Sequence, residues 1–397
     1  MTSSPARSVS SSDAVSIIVP TYREAENLRA LVERIRQVLP ALIRPWEVIV
    51  VDDDSRDGSD QVIADLAAEG LPVRLMTRVG RRGLSSAVLE GFGLAGGAVL
   101  VCMDADLSHP PEAIPALLAH LEAGADFAIG SRYVPGASTD ESWGPFRWLN
   151  SKVATLLARP FTKVRDPMAG FFALPRAVFQ RADQLSPVGY KIALELIVKC
   201  RCRDIREVPI HFANRKFGQS KLSLKEQLNY LKHLKRLADY KFGWFSRLFQ
   251  FCLVGGTGTV VDLASYALLL DLAAHPLARA VSATEATHKL LIYAARAVAI
   301  WIAMTWNFLF NRRLTYSHMR SSKAWPQYWR FVGACSVGAL INWFISCYLP
   351  DRAAFFKAHL LAAAVVGIVA GLLFNFTLSH LWVFRRRHQS KADSPNR

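Results

Sequence analysis

Cysteine is scarce in this chain: six residues in 397, at positions 102, 200, 202, 252, 335 and 347. The one close pair, Cys200-Arg201-Cys202, lacks zinc spacing and no second pair answers it. Neither a disulfide framework nor a zinc module is therefore expected, and all six read as reduced and structural. The Ser-rich stretch Met1–Asp13 has no apolar core, which argues against a signal peptide and for a disordered tail. No nucleic-acid motif accompanies the net charge of +16, so nucleic acid is not an expected partner. Past Trp244, charge itself thins out.

What replaces charge there is four long apolar segments, roughly 249–274, 290–311, 331–349 and 359–384. Each has the length a helix needs to cross about 30 Å of hydrocarbon. Lys232, Lys235, Arg236, Lys241 and Arg247 precede the first. Arg312, Arg313, Arg320, Lys323 and Arg330 lie between the second and third, and Arg385, Arg386 and Arg387 follow the fourth. By the positive-inside rule both termini and the N-terminal region face the cytoplasm, in a multi-pass arrangement. Leu253-Val254-Gly255 recurs as Phe331-Val332-Gly333, and Asn307-Phe308 recurs as Asn375-Phe376. These echoes point to two related helical hairpins. The stretch Leu222–Phe245, with Leu, Tyr and Phe among Lys and Arg, suits a helix lying on an anionic membrane face.

The N-terminal region alternates strands and helices. Strands are expected at Val15–Val19, Glu47–Val51, Val73–Thr77, Ala98–Met103 and Phe127–Ile129. Helices are expected at Glu26–Leu39, Asp60–Glu69 and Leu84–Ala95. That alternation predicts a doubly wound parallel sheet, with ligands beyond the carboxyl ends of the strands. Three strands end in chemically loaded turns: Pro20-Thr21-Tyr22-Arg23-Glu24, Asp52-Asp53-Asp54-Ser55 and Asp104-Ala105-Asp106. Asp104 and Asp106, one residue apart after a buried strand, suit a hard divalent ion that also meets substrate phosphates. The three adjacent Asp residues would repel one another if buried without partners, and one accepting hydrogen bonds from a nucleotide would explain the turn. Arg132 after the fifth strand, and Arg215 and Lys221 around Gly218, suit a phosphate clamp.

The segments SIIVPTYREAENL, VIVVDDDSRDGS, GRRGLSSAVLEGF, VCMDADLSHPPEAIPALL, AIGSRYVPG, GYKIALELIVK and RKFGQSKLSLKE occur in this order. Over about Val15–Gln227 they resemble the dolichol-phosphate (polyprenyl-phosphate) mannose synthases, a group of family 2 glycosyltransferases. The apolar segments resemble the GtrA-like module fused to some of them. The resemblance implies a GT-A (Rossmann-like) α/β domain at 14–227. A tail at 1–13 precedes it, and interfacial helices at 228–248 follow it. An all-α domain of four transmembrane helices at 249–386 and a cytoplasmic tail at 387–397 complete the chain.

The activity implied is inverting transfer of mannose from GDP-mannose to a polyprenyl phosphate (dolichyl or undecaprenyl) at the cytoplasmic side of the cell membrane, with Mg²⁺ or Mn²⁺. The same scaffold would serve a UDP-glucose or UDP-GlcNAc donor, and the sequence carries no signal for oligomeric state. Pro20, Tyr22, Glu24, Val51 and Asp53 would hold the guanosine. Asp104, Ala105 and Asp106, with Ser108, would meet metal and diphosphate. Arg132, Arg215 and Lys221 would contact the phosphates of donor and acceptor; Asp104, Asp106, Arg215 and Lys221 form the expected catalytic set.

The chain departs from the family pattern in three places. Arg23 stands where Asn is usual, Ser108 where some members have Gln, and Asp166-Pro167-Met168-Ala169-Gly170-Phe171 where Thr-Ser-Gly-Phe is more common. The Gln-x-x-Arg-Trp signature of processive synthases is broken, with Gly144 ahead of Arg147-Trp148.

Overall fold

The computed structural model describes residues 9–39, 44–140, 145–186, 191–213, 224–274, 284–317, 323–358 and 360–384. The chain divides into two compact units, Met1–Lys241 and Phe242–Arg397.

The first unit opens β1 (Val15–Thr21), α1 (Ala25–Val38), β2 (Trp46–Asp52), α2 (Ser59–Ala68), β3 (Val73–Thr77), α3 (Leu84–Leu94) and β4 (Val99–Cys102). A 3₁₀ turn, Pro111–Ala113, leads into α4 (Ile114–Glu122), then β5 (Phe127–Ser131), β6 (Ser138–Thr139) and α5 (Pro145–Ala158). β7 (Phe172–Pro175), α6 (Arg176–Phe179), α7 (Ile192–Lys199), β8 (Ile205–Pro209), β9 (His211–Phe212) and α8 (Leu224–Phe242) follow. β1 is buried along its whole length, as expected of a central strand covered on both faces. Helix α1 turns Leu28, Leu31, Val32 and Ile35 inward, the i, i+3, i+4, i+7 stripe of a helix packed on a sheet.

The seven-stranded sheet runs β3-β2-β1-β4-β7-β5-β8, with β6 and β9 forming a separate pair. It is not the all-parallel sheet expected from the strand–helix alternation. β7 lies antiparallel between β4 and β5, with Cys102 opposite Phe172 and Val99 opposite Pro175. The reason is the route of the chain. It enters β7 from the carboxyl edge of the parallel strands, so β7 must run back down. The residues just before it, 166–171, are thereby laid over the edge where the loaded turns sit.

Helix α3 approaches β1 and β2 through Gly91. A Cβ there would lie 2.6 Å from Ile18 Cγ2 and 3.0 Å from Val51 Cγ2. Helix α8 buries Tyr230, Leu234 and Leu237 against Ala158 of α5 and Leu194 and Val198 of α7.

In the second unit, long helices span Trp244–Leu269, Glu285–Phe310, Ala324–Arg352 and Leu360–Leu378. The first pairs with the second and the third with the fourth. Among the described residues one stretch, Trp244–Leu272, is long and apolar enough to cross a membrane by length and composition. Cys102, Cys200, Cys202, Cys252 and Cys335 are free thiols.

Gly91→Ala is expected to destabilise the first unit by about 1–3 kcal/mol, the usual range for overpacking a filled core. Thermal unfolding of the full-length protein in detergent checks it; an unchanged melting temperature would refute the close packing.

Candidate active site

The turns after β1, β2, β4 and β5 form the candidate site. Six non-glycine residues have positive φ among those described, and four lie in these turns: Arg23 (62°), Asp54 (56°), Arg56 (53°) and Leu107 (61°). The left-handed region costs about 1–2 kcal/mol for a residue with a Cβ, so such positions persist where surroundings over-determine them. Arg23 is held by its N–H, which donates to Ser55 Oγ at 2.8 Å and ties the first turn to the second. Its conformation accounts for Asn at this place in the resembling family, since Asn visits the left-handed region readily.

The three adjacent Asp residues resolve their repulsion in three ways. Asp52 accepts from the Ser55 N–H at 2.8 Å and from the Ser55 hydroxyl, closing its own turn. Asp54 faces the guanidinium of Arg56, at 3.1 Å from both Nε and Nη2. Asp53 is buried against a buried Arg78, Oδ1 to Nη1 at 3.0 Å, and its Oδ2 accepts from the Gly83 N–H at 2.7 Å. Arg78 also donates to Ser86 Oγ at 2.7 Å and to the Gly83 carbonyl at 3.2 Å. Gly83 has φ of 142°, a conformation that favours glycine. Asp53 therefore organises the loop before α3.

On the β1 side of this corner, the Tyr22 ring lies 4.6 Å from the Arg82 guanidinium and 5.3 Å from that of Arg23. Glu24 accepts from Asn27 Nδ2 at 2.7 Å. Pro20 and Val51 face each other across β1 and β2 and are buried, so they shape a wall without adding side-chain chemistry.

At the end of β4, Asp106 is buried and its Oδ1 accepts from both the N–H (3.1 Å) and the hydroxyl of Ser108. Ser108 thus orients the carboxylate. Asp104 is more open. Its N–H donates to His109 Nδ1 at 3.1 Å, which puts the proton of the neutral imidazole on Nε2. His109 stacks on Phe171, ring centroids 5.4 Å apart. A Cβ on Gly170 would lie 3.2 Å from both Asp104 oxygens. No group of three or more His, Cys, Asp or Glu gathers to hold a metal among the described residues. Two carboxylates and a hydroxyl fit a hard divalent ion completed by water and substrate phosphates, not one caged by protein.

Past β5, Arg132 forks onto Asp166, Nε to Oδ2 at 2.7 Å and Nη2 to Oδ1 at 2.8 Å. Burial would lower the Arg132 pKa, but these hydrogen bonds hold it above its ordinary value. Lys191, at the start of α7, is pushed down to about 7 by burial and by the charge of Arg132, with Asp166, Asp104 and Glu226 opposing.

Residues 16–182 match the model for glycosyl transferase family 2, and residues 250–384 that for the GtrA/DPMS transmembrane domain. The chain is 36% identical over 359 residues to the dolichol-phosphate mannosyltransferase of Pyrococcus furiosus, covering 89% of this chain and 95% of that one. It belongs to the dolichol-phosphate mannosyltransferase family. The Saccharomyces cerevisiae relative of that name is 44% identical over 57% of this chain and 88% of its own. The undecaprenyl-phosphate mannosyltransferase of Micrococcus luteus is 38% identical over 52% of this chain and 86% of its own. The chain is thus a membrane-associated glycosyltransferase, a GT-A domain followed by a helical membrane domain.

For this mannosyltransferase-family chain, the strand ends bring Pro20, Tyr22, Glu24, Val51, Asp53, Asp104, Ala105, Asp106, Ser108 and Arg132 to one edge. Arg215 and Lys221 lie outside the described residues. Sequence reasoning assigned no role to Arg78, His109, Gly170, Asp166 or Lys191. Arg78 follows β3 with no motif of its own, and Lys191 sat unremarked inside GYKIALELIVK.

Arg78→Ala should leave Asp53 buried without its cation and cost about 3–5 kcal/mol of stability, read as a fall in melting temperature. Gly170→Ala should displace the Asp104 carboxylate by a few tenths of an ångström, lowering turnover several-fold while the melting temperature stays near wild type. Full activity in that variant would show that Asp104 is not held to its place.

Proposed function

We propose that this enzyme transfers mannose from GDP-mannose to a polyprenyl phosphate in the membrane, inverting the anomeric carbon. One observation carries the reading. The Asp53 corner, the Asp104/Asp106 pair and Arg132 follow one another along a single sheet edge, in a chain that aligns over 89% of its length with a dolichol-phosphate mannosyltransferase. The corner with Tyr22 and Asp53 takes the nucleoside, Asp104 and Asp106 take the diphosphate end, and Arg132, Arg215 and Lys221 take phosphate oxygens. Residues 14–227 do the chemistry, and 249–386 hold the enzyme in the bilayer.

A phosphate monoester has a second pKa near about 6, so the acceptor is largely dianionic at pH 7. Its oxygen attacks the anomeric carbon without a side-chain base. The bond from that carbon to the diphosphate breaks, and the electron pair leaves on GDP through an oxocarbenium-like state. Cationic side chains aimed at the diphosphate offset the charge that develops there. Mg²⁺ or Mn²⁺, held by Asp104 and Asp106 beside Ser108, supplies Lewis-acid stabilisation of the leaving diphosphate when bound.

The same reading places four helices across the membrane with the first unit in the cytoplasm, on the basic residues that flank the first and fourth and join the second to the third. Leu149, Val153 and Leu156 on α5, and Leu228 and Leu231 on α8, are exposed apolar side chains among Lys152, Lys232 and Lys235. Such a surface suits the headgroup layer of an anionic membrane.

Labelled GDP-mannose, UDP-glucose and UDP-GlcNAc offered with a prenyl phosphate should give product with GDP-mannose alone. Asp106→Ala should abolish that transfer, and chelation should stop the wild-type reaction until Mg²⁺ or Mn²⁺ is returned. Near-normal turnover in the variant would sink the metal assignment, and transfer from a UDP-sugar would sink the donor.

A further inference from the structure

Met103 donates its N–H to the Ile18 carbonyl of β1 at 3.2 Å, and the next N–H, that of Asp104, lies past the paired register of β4. A backbone N–H away from water needs an acceptor. His109 Nδ1 is that acceptor, at 3.1 Å. The same nitrogen is 3.6 Å from Asp104 Oδ2, too far for a hydrogen bond, so the tie is to the Asp104 backbone.

The imidazole is itself held. His109 is buried. Its ring stacks on Phe171 with the planes 24° apart and the centroids at 5.4 Å, and it meets Phe212 edge-on at 5.5 Å. A Cβ on Gly170 would lie 3.4 Å from His109 Cε1. Phe171 leads into β7 and Phe212 lies on β9. The chain at the end of β9 is tied to the same turn, since the Ala213 N–H donates to the Ser108 carbonyl at 3.2 Å. Two segments distant in sequence thus fix the direction of one ring.

The turn 104–109 therefore holds its two carboxylates by two different side chains. Ser108 orients the Asp106 carboxylate, and His109 anchors the backbone that carries Asp104. Leu107 between them sits at φ of 61°, a conformation kept where surroundings over-determine it. A small hard ion such as Mg²⁺ demands near-ideal ligand geometry. Groups that orient metal ligands without touching the metal change its affinity by about 10–100-fold when removed.

We propose that His109 is a positioning residue for the divalent ion: its Nδ1, by fixing the Asp104 backbone, sets the affinity of the Asp104/Asp106 pair for Mg²⁺ or Mn²⁺. This rests on the reading of that pair as the metal site. A buried imidazole between two phenyl rings could serve packing alone, and the two roles rank substitutions in opposite order. His109→Phe keeps a ring between Phe171 and Phe212 but has no acceptor. His109→Asn loses the ring but carries an amide oxygen as many bonds from Cα as Nδ1.

Full-length enzyme in detergent, with GDP present, is titrated with Mn²⁺, and free Mn²⁺ is read from its electron paramagnetic resonance signal. His109→Phe is expected to weaken Mn²⁺ binding by about tenfold or more, while His109→Asn stays within about threefold of wild type. His109→Leu, a second substitution without an acceptor, should fall with His109→Phe and decides the outcome if the larger ring lowers the melting temperature. Mn²⁺ affinity in the variants without an acceptor that equals or exceeds that of His109→Asn overturns the proposal and leaves His109 a packing residue. Wild-type enzyme that binds no Mn²⁺, or Mn²⁺ binding that survives Asp106→Ala, overturns the metal reading itself, and this inference with it.

Discussion

The slot between β4 and β5 is filled by a strand that runs against both neighbours, and the site depends on that reversal. Were β7 parallel, its entry would fall at the amino edge of the sheet, away from every carboxylate-bearing turn. Running down from the carboxyl edge, it places its incoming loop over Asp104 and Arg132. Three residues of that loop then act on the site from one side. Asp166 fixes Arg132, Gly170 leaves room for the Asp104 carboxylate, and Phe171 stacks on His109. A single topological choice thus serves charge, space and ring orientation together.

The buried charges follow one pattern. Asp53 with Arg78, and Asp166 with Arg132, are ion pairs that also carry backbone hydrogen bonds. An ion pair taken out of water recovers its desolvation cost when the remaining hydrogen-bonding positions are filled. The N–H of Gly83 donates to Asp53 Oδ2 and the N–H of Arg132 to Asp166 Oδ2, so each pair also pins a loop, although Asp53 Oδ1 and Arg78 Nε stay without a hydrogen bond among the described residues. The loops so pinned are those before α3 and after β5. This is preorganisation by paired charge: groups held in place by such pairs need no rearrangement on binding.

The sequence was legible where chemistry is local. Alternation placed β1, β2, β3 and α3 within a residue or two at most ends, and the carboxylate turns announced themselves because charge after a buried run has few other uses. What it hid was non-local. β7 is four residues, buried throughout, with no alternation to betray it. Asp166 looked like a departure from a familiar turn, because its partner is 34 residues away, just past β5. The position of Val51 was legible, but not the packing of its side chain in the core against Gly91.

The echo in the second unit has a physical content beyond resemblance of letters. Asn307 fills the space a Cβ on Gly258 would take, and Asn375 does the same at Gly338. Each helix pair thus closes on one glycine and one amide. Four residues after each Asn the helix loosens into a π turn, Asn311–Thr315 in one case and Ser379–Val383 in the other. The residues that end these turns, Tyr316 and Phe384, stack on each other at 4.3 Å and are fully buried. Between apolar helices burial of carbon gives little drive to associate in lipid, so close approach at a small residue has to hold them. Two hairpins built on that device, joined ring to ring at their equivalent ends, form a bundle whose internal symmetry comes from the packing itself.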